Sequence, residues 1–285
     1  MGGIALAAAL GPVVARAALA PAGEVSDAAE EVARSHDLSR RIEVRGEDEL
    51  GRLAASFNEM MAALEASDAA QRRLVADASH ELRTPLATLR TNIETLGRGH
   101  ELDPAERERI VGDLTGELEE MGELVGDVVE LAREPGAERL APQDVRLDEL
   151  AADAVASARR RARGLDFTVD LSPSLVRGDP ARIGRAISNL LDNAAKWSPA
   201  GGEVEVSVAG GVVRVRDHGP GFAPADLPRV FDRFWRSDEA RGMHGSGLGL
   251  AIVRRVAEEH GGSAEAANAE GGGALVTLRI PQARS

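Results

Sequence analysis

The run His80-Glu81-Leu82-Arg83-Thr84-Pro85 joins an imidazole, a carboxylate, a hydroxyl and a proline at fixed offsets. A neutral imidazole nitrogen is a nucleophile near physiological pH. Glu81 beside it can accept a hydrogen bond from one ring nitrogen and leave the other unprotonated. Thr84 stands one helical turn further on and shares the face of His80. A lone histidine on a helix surface is most often only solvated. The box gains meaning if the rest of the chain supplies something for His80 to attack.

Four clusters in the last 140 or so residues bear on that. On a helix, Asn189, Asn193 and Lys196 fall at i, i+4 and i+7, with Trp197 following. Two amides and an ammonium on one face of an otherwise apolar helix suit a magnesium-phosphate group. Lys196 is the only lysine in a chain whose cations are otherwise arginine. Asp217-His-Gly219-Pro-Gly221 follows a strand; its carboxylate can accept from an exocyclic amine, and its glycines let backbone approach a ring. Phe231-Asp-Arg-Phe234-Trp-Arg236 supplies aromatic anchors and cations for a mobile segment. Gly245-Ser-Gly247-Leu-Gly249 opens a helix whose free N–H groups make an anion site. Each cluster alone is weak evidence.

In this order and spacing the four clusters resemble the N, G1, F and G2 boxes of the histidine-kinase ATP-binding domain, a fold shared with Hsp90-, gyrase- and MutL-type ATPases. The His80 box resembles the phosphoacceptor box of HisKA-type sensor histidine kinases. The likeness runs from about residue 17 to the end. It implies that Asn193 chelates Mg²⁺ with Asn189 in support, that Lys196 touches phosphate and that Trp197 lies by the nucleotide. It implies that Asp217 reads the adenine amine, with Gly219 and Gly221 beside it. Residues 219 to 246 would form a lid, Arg236 would reach the γ-phosphate, and Gly245, Gly247 and Gly249 would cradle phosphate. The γ-phosphoryl would pass from ATP to a ring nitrogen of His80, with Glu81 as base or orienter. A receiver-domain aspartate of a response regulator would then take it, and Thr84 would orient a water for dephosphorylating that partner. Trp197 stands where the family commonly has Tyr, and Ser246 where it commonly has Thr.

The elements that must position these residues follow from periodicity. Val75, Ala78, Leu82, Leu86, Leu89, Ile93 and Leu96 make one apolar stripe on a long helix, which Pro85 should bend. Asp103-Pro104 opens a second helix, with Asp103 as cap and a stripe of Ile110, Leu114, Leu118, Met121, Val125, Val128 and Ala132. Two helices with one stripe each leave apolar surface that a dimeric four-helix bundle would bury. Alternation over 166–171, 203–208, 211–216 and 274–280 predicts strands, and helices are expected at 148–162, 179–197 and 247–260. Together these make an α/β sandwich, one mixed sheet with three helices on one face.

Before the His80 helix, residues 17–66 read as helix, connector, helix, with apolar pins at Leu38, Ile42 and Val44. The second of these helices carries Leu50, Leu53, Phe57, Met60 and Leu64. This resembles a HAMP domain, a parallel coiled-coil relay. Gly2 to Val14 is almost wholly apolar and is followed by Arg16, which suits the cytoplasmic end of a transmembrane helix whose beginning is absent, the alternative being a weak interfacial or core helix. The expected layout is therefore a membrane-helix end at 1–16, a HAMP-like domain at 17–66, a phosphoacceptor hairpin at 67–135 and an ATP-binding domain at 143–285. The chain would be the cytoplasmic portion of a cell-membrane kinase. Net charge of −13 argues against nucleic-acid binding, and the absence of cysteine excludes disulfides and metal-thiolate sites. Two rivals are an ATPase of the wider fold, which leaves the His80 box unexplained, and a non-catalytic dimeric scaffold, which would not keep four nucleotide boxes.

Overall fold

The computed structural model describes residues 23, 30–35, 37–44, 49–97, 103–132, 142–237 and 245–283. The chain divides into two compact units, Met1–Val75 and Ala76–Ser285. Residues 1–16, with the expected membrane-helix end, lie outside the described residues. No helix among the described residues is long and apolar enough to cross a membrane.

In the first unit, Ile42, Ala54, Phe57 and Met61 form a small core with Val32 and Leu38 against it. The side-chain amide of Asn58 brackets Ile42, accepting from its N–H at 2.9 Å and donating to its carbonyl at 2.8 Å. This pins the extended connector without a strand partner. The expected stripe is only partly the buried one. Phe57 is buried, but Leu53, Met60 and Leu64 are exposed, and so is Val44 among the connector pins. Ala54 and Met61 take their place, because the connector packs on the Ala54–Phe57–Met61 face and leaves the leucine edge open.

Helix α1, Glu49–Gly97, runs without a break past Ser67 and through Pro85. Helix α2, Pro104–Ala132, starts as its sequence demands. The Asp103 carboxylate accepts from the Glu106 N–H at 2.8 Å, and Pro104 fills the first helical position, where no donor is needed. The expected hairpin stripes are again incompletely buried within one chain. Ala78, Leu89 and Ile110 are buried, whereas Val75, Leu86, Ile93, Leu118 and Val125 stand about half exposed or more. Leu74, Leu124 and Leu131 are buried instead of their neighbours.

The rest of the second unit is a sandwich. Strands β2 (Asp166–Leu171), β4 (Glu203–Ala209), β5 (Val212–Asp217), β6 (Ser263–Asn268) and β7 (Ala274–Arg279) form a sheet in the order β2-β4-β5-β7-β6. Only the β2–β4 pair is parallel. Helices α3 (Leu147–Arg161), α4 (Pro180–Trp197) and α5 (Gly249–Glu259) pack on the sheet through its buried alternate residues, such as Val204, Val206 and Val208 of β4. Strands β1 (Gln143–Arg146) and β3 (Leu175–Gly178) pair apart from it. Helix α4 is the one on which the site depends. Asp179 caps it, accepting from the Ala181 and Arg182 N–H groups, and Ile183, Ile187, Leu190 and Leu191 are fully buried beneath it. Each such aliphatic contributes about 1.5–3 kcal/mol, so the opposite, polar face of α4 is held rigidly. His260, just past α5, accepts from the Asp179 N–H through Nε2 at 3.1 Å and donates Nδ1–H to the Val256 carbonyl. It staples the end of α5 to the start of α4.

Candidate functional site

The polar face of α4, the end of β5 and the turn before α5 converge on one cleft of about 1450 Å³. Asn189, Asn193, Lys196 and Trp197 come to it from α4, and Asp217 and Gly221 from β5 and the loop after it. Arg236, Gly245, Gly247 and Gly249 complete the sequence-chosen set. Gly219 is not among the lining residues. It acts behind the wall, donating its N–H to Asp217 Oδ1 at 2.9 Å. A side chain there would meet the Trp197 carbonyl at 2.3 Å, so only glycine lets the loop pass this close to α4.

Asp217 is buried, and its Oδ1 accepts a second backbone donor, the Ala274 N–H at 3.0 Å. The carboxylate is thereby fixed at the cleft wall with Oδ2 outside these two bonds. Lys196 lies over the Trp197 ring at 5.8 Å. Burial pushes the Lys196 ammonium below its ordinary pKa, and the like charge of Arg236 adds to this, with Glu120 opposing. An anion between these cations would relieve both effects. Gly247 has φ +72, and a side chain there would strike the Trp235 carbonyl at 2.8 Å, which packs the glycine turn against the Phe234-Trp235 segment. Phe234 itself has φ +59, in the left-handed region rare for an aromatic residue. Residues 238–244, the middle of the expected lid, lie outside the described residues.

His80, Glu81 and Thr84 are exposed on α1 and are not part of the cleft. No hydrogen bond joins the His80 ring to Glu81, because successive helical side chains diverge by about 100° and do not face each other.

The opposite wall of the cleft was not foreseen. It is α2, which contributes Glu119, Glu120, Glu123 and Asp127. Asp127 accepts from Arg185 of α4 at 2.8 Å and from the Ser246 hydroxyl at 3.3 Å. Burial raises its pKa, against the pull of Arg185 and Ser246. Glu123 is raised too, first by burial and then by the carboxylates of Asp192, Asp127 and Glu120. Below the cleft, Arg182 bridges Glu130 of α2 at 2.8 Å and Glu259 of α5 at 2.6 Å, and Arg255 reaches Glu259 and the Leu131 carbonyl. The signal was present as four carboxylates spaced 1, 3 and 4 residues apart on α2, but they read as an ordinary solvated face.

Sequence profiles of three families match the chain in sequence order. They are the HAMP domain at residues 13–66, the His Kinase A (phospho-acceptor) domain at 70–136, and the histidine kinase-, DNA gyrase B- and HSP90-like ATPase at 178–284. The chain belongs to the HisKA-type sensor histidine kinases. The histidine-protein kinase/phosphatase MprB of Mycolicibacterium smegmatis is 47% identical over 271 residues, which is 92% of this chain and 55% of that protein. A solved mycobacterial MprB structure is 39% identical and covers 50% of this chain and 100% of its own, with a TM-score of 0.46. Histidine kinase AdeS of Acinetobacter baumannii is 26% identical with a TM-score of 0.57, covering 72% of this chain and 98% of its own. The chain spans about half the length of the curated relatives it matches. The ATPase profile begins at residue 178, whereas the folded domain begins at β1, because β1, α3 and β2 precede it in the same sandwich.

Proposed function

We propose that this kinase autophosphorylates His80 from ATP and passes the phosphoryl group to an aspartate of a response-regulator receiver domain. The observation that carries the reading is the convergence of Asn189, Asn193, Lys196, Asp217, Arg236 and the glycine turn on one cleft. These residues are scattered over 61 positions of sequence and have no other reason to meet. Asp217 Oδ2 accepts the adenine amine. Lys196 and Arg236 neutralise phosphate charge, and the turn 245–249 offers backbone N–H groups. The amide oxygen of Asn193 is a hard neutral donor that suits Mg²⁺, which keeps few protein ligands beside the substrate phosphates; Asn189 supports it. Mg²⁺ would supply charge neutralisation along the triphosphate. Phosphoryl transfer asks chiefly for positioning and charge neutralisation, so the protein has little covalent chemistry to perform. His80 is the acceptor, with Glu81 as its base or orienter once the ring turns toward it. Thr84 orients a water that hydrolyses the regulator's phospho-aspartate, releasing inorganic phosphate, in keeping with the kinase/phosphatase relatives.

The same reading sets the layout: a HAMP-like relay at 17–66, a phosphoacceptor hairpin at 67–135 that dimerises into a four-helix bundle, and an ATP domain at 143–285. The apolar segment at 1–16 would tether the assembly to the membrane with the rest in the cytoplasm. The chain incubated with γ-labelled ATP and magnesium is expected to acquire acid-labile, alkali-stable label. ATP hydrolysis with no label on the chain would instead mark a plain ATPase.

A further inference from the structure

The Asp127 carboxylate sits in the cleft as an anion would. Its Oδ1 accepts from the Arg185 guanidinium and its Oδ2 from the Ser246 hydroxyl. Ser246 is set up to donate, because its Oγ already accepts the Leu248 N–H at 3.2 Å. Arg185 precedes Asn189 and Asn193 at steps of four on α4, so the three share one face along the cleft. Ser246 lies between the two glycines of the turn, of which Gly245 borders the Lys196 ammonium: a Cβ at Gly245 would stand 3.1 Å from it. A guanidinium and a hydroxyl thus grip one carboxylate at the phosphate end of the cleft, and the carboxylate belongs to α2, outside the ATP domain. His80 is absent from the same cleft wall.

We propose that Arg185 and Ser246 form a subsite for the terminal phosphate of the nucleotide, and that Asp127 fills it as a built-in competitor while the ATP domain lies against α2. This rests on the nucleotide reading above and adds two ligands and an occupant to it. A terminal phosphate carries more charge than a carboxylate and offers more acceptor oxygens to the same two donors. ATP therefore displaces Asp127, whereas ADP, lacking that phosphate, does not compete for the position. Binding and docking are linked reciprocally: ATP loosens α2 from the turn, and α2 weakens ATP. Glu120 and Glu123, beside Asp127 on the same wall, add to the cost of a triphosphate in the docked arrangement.

The test uses the whole chain and its two tryptophans, Trp197 and Trp235, both of which line the cleft and have no tyrosine to mask them. Fluorescence titrations with Mg-ATP and Mg-ADP are compared across variants whose melting temperatures are checked first. Asp127→Asn keeps the shape and removes the charge; it should tighten ATP about fivefold to tenfold and change ADP less than twofold. Arg185→Gln should weaken ATP about tenfold with little effect on ADP, and in that background Asp127→Asn should give no gain. Ser246→Ala should show a smaller loss of the same kind. Asp127→Asn with unchanged or weaker ATP binding would overturn the proposal, and so would equal gains for ATP and ADP, which would mean general loosening of α2. If the unaltered chain bound neither nucleotide, the nucleotide reading itself would fall, and this inference with it.

Discussion

The ATP domain and the helical hairpin spend their apolar residues differently. In the sandwich, Ile183, Ile187, Leu190 and Leu191 of α4 and the inward valines of β4 are at most 2% exposed within a single chain. In the hairpin, Ile93 is 60% exposed, Leu118 59% and Val75 57%. Both regions carry regular apolar patterns, so pattern alone does not say what covers it. The sandwich closes on itself because a sheet and three helices present matching faces in one chain. The two helices leave much of their stripes open to water within one chain, which the proposed second copy would cover. The ATP domain thus buries its core within one chain, whereas the helices that carry His80 would be completed only in the proposed dimer.

The largest effects should come from breaking this contrast at its two poles. Leu190→Ala removes a fully buried side chain and should cost about 2–5 kcal/mol, lowering the melting temperature at every protein concentration. Leu118→Ala removes a side chain exposed in one chain; it should leave the ATP domain's melting untouched and raise the concentration at which dimers dissociate, read by light scattering. A concentration-independent loss in both variants would mean that the hairpin stripe serves a fold within one chain.

Next in size is the charge of the cleft. Asn193→Asp puts a carboxylate where phosphate is expected, at a cost of several kcal/mol on the order of Coulomb estimates at intermediate dielectric. Autophosphorylation should fall by orders of magnitude while the melting curve holds. Asp217→Asn removes a fixed anionic acceptor worth about 1.5–3 kcal/mol, so Mg-ATP titrations should shift at least tenfold. GTP, with a carbonyl where adenine has its amine, should compete poorly with the unaltered chain. Equal affinity for ATP and GTP would take Asp217 away from the base.

The smallest effect concerns acid stability of the sandwich alone. The Arg146 guanidinium holds the Asp148 carboxyl down at about 2, aided by the Ser174 N–H at 3.0 Å. A pKa lowered by folding stabilises above the unfolded value, here near 3.8, and that stability is lost as pH falls toward 2. Asp148→Asn should therefore flatten the decline in melting temperature between about pH 4 and pH 2, and change it little at pH 7 beyond a constant offset. An unchanged acid slope would mean that the Arg146 fork is idle in solution.

How much the sequence disclosed follows the same division. Helix α4 was legible almost to the residue, since its cap, its proline and its stripe all agree. Strands β1, β3 and β6 were not foreseen. β6 reads Ser-Ala-Glu-Ala-Ala-Asn and lacks the β-branched residues that mark a strand, because it is an edge whose pairing with β7 does the work. Apart from Gly219, the residues singled out in the ATP domain line one cleft, because their spacing is set by one helix and two glycine turns. The acidic wall from α2 was invisible, since no local pattern tells a solvated carboxylate from one that faces Arg185 across 58 residues of sequence. For the same reason the buried edges of α1 and α2 shifted by one residue from the expected stripes: Leu74 and Leu131 are selected by tertiary neighbours, not by period.

The account rests on His80 as the acceptor of the phosphoryl group, and one measurement addresses that directly. The chain and its His80→Gln variant are incubated with γ-labelled Mg-ATP, and label is mapped to the residue while tryptophan titration tracks nucleotide binding. Because His80 lies outside the cleft, the account predicts full nucleotide affinity in the variant and no acid-labile label. Label that persists in His80→Gln at another residue would contradict it.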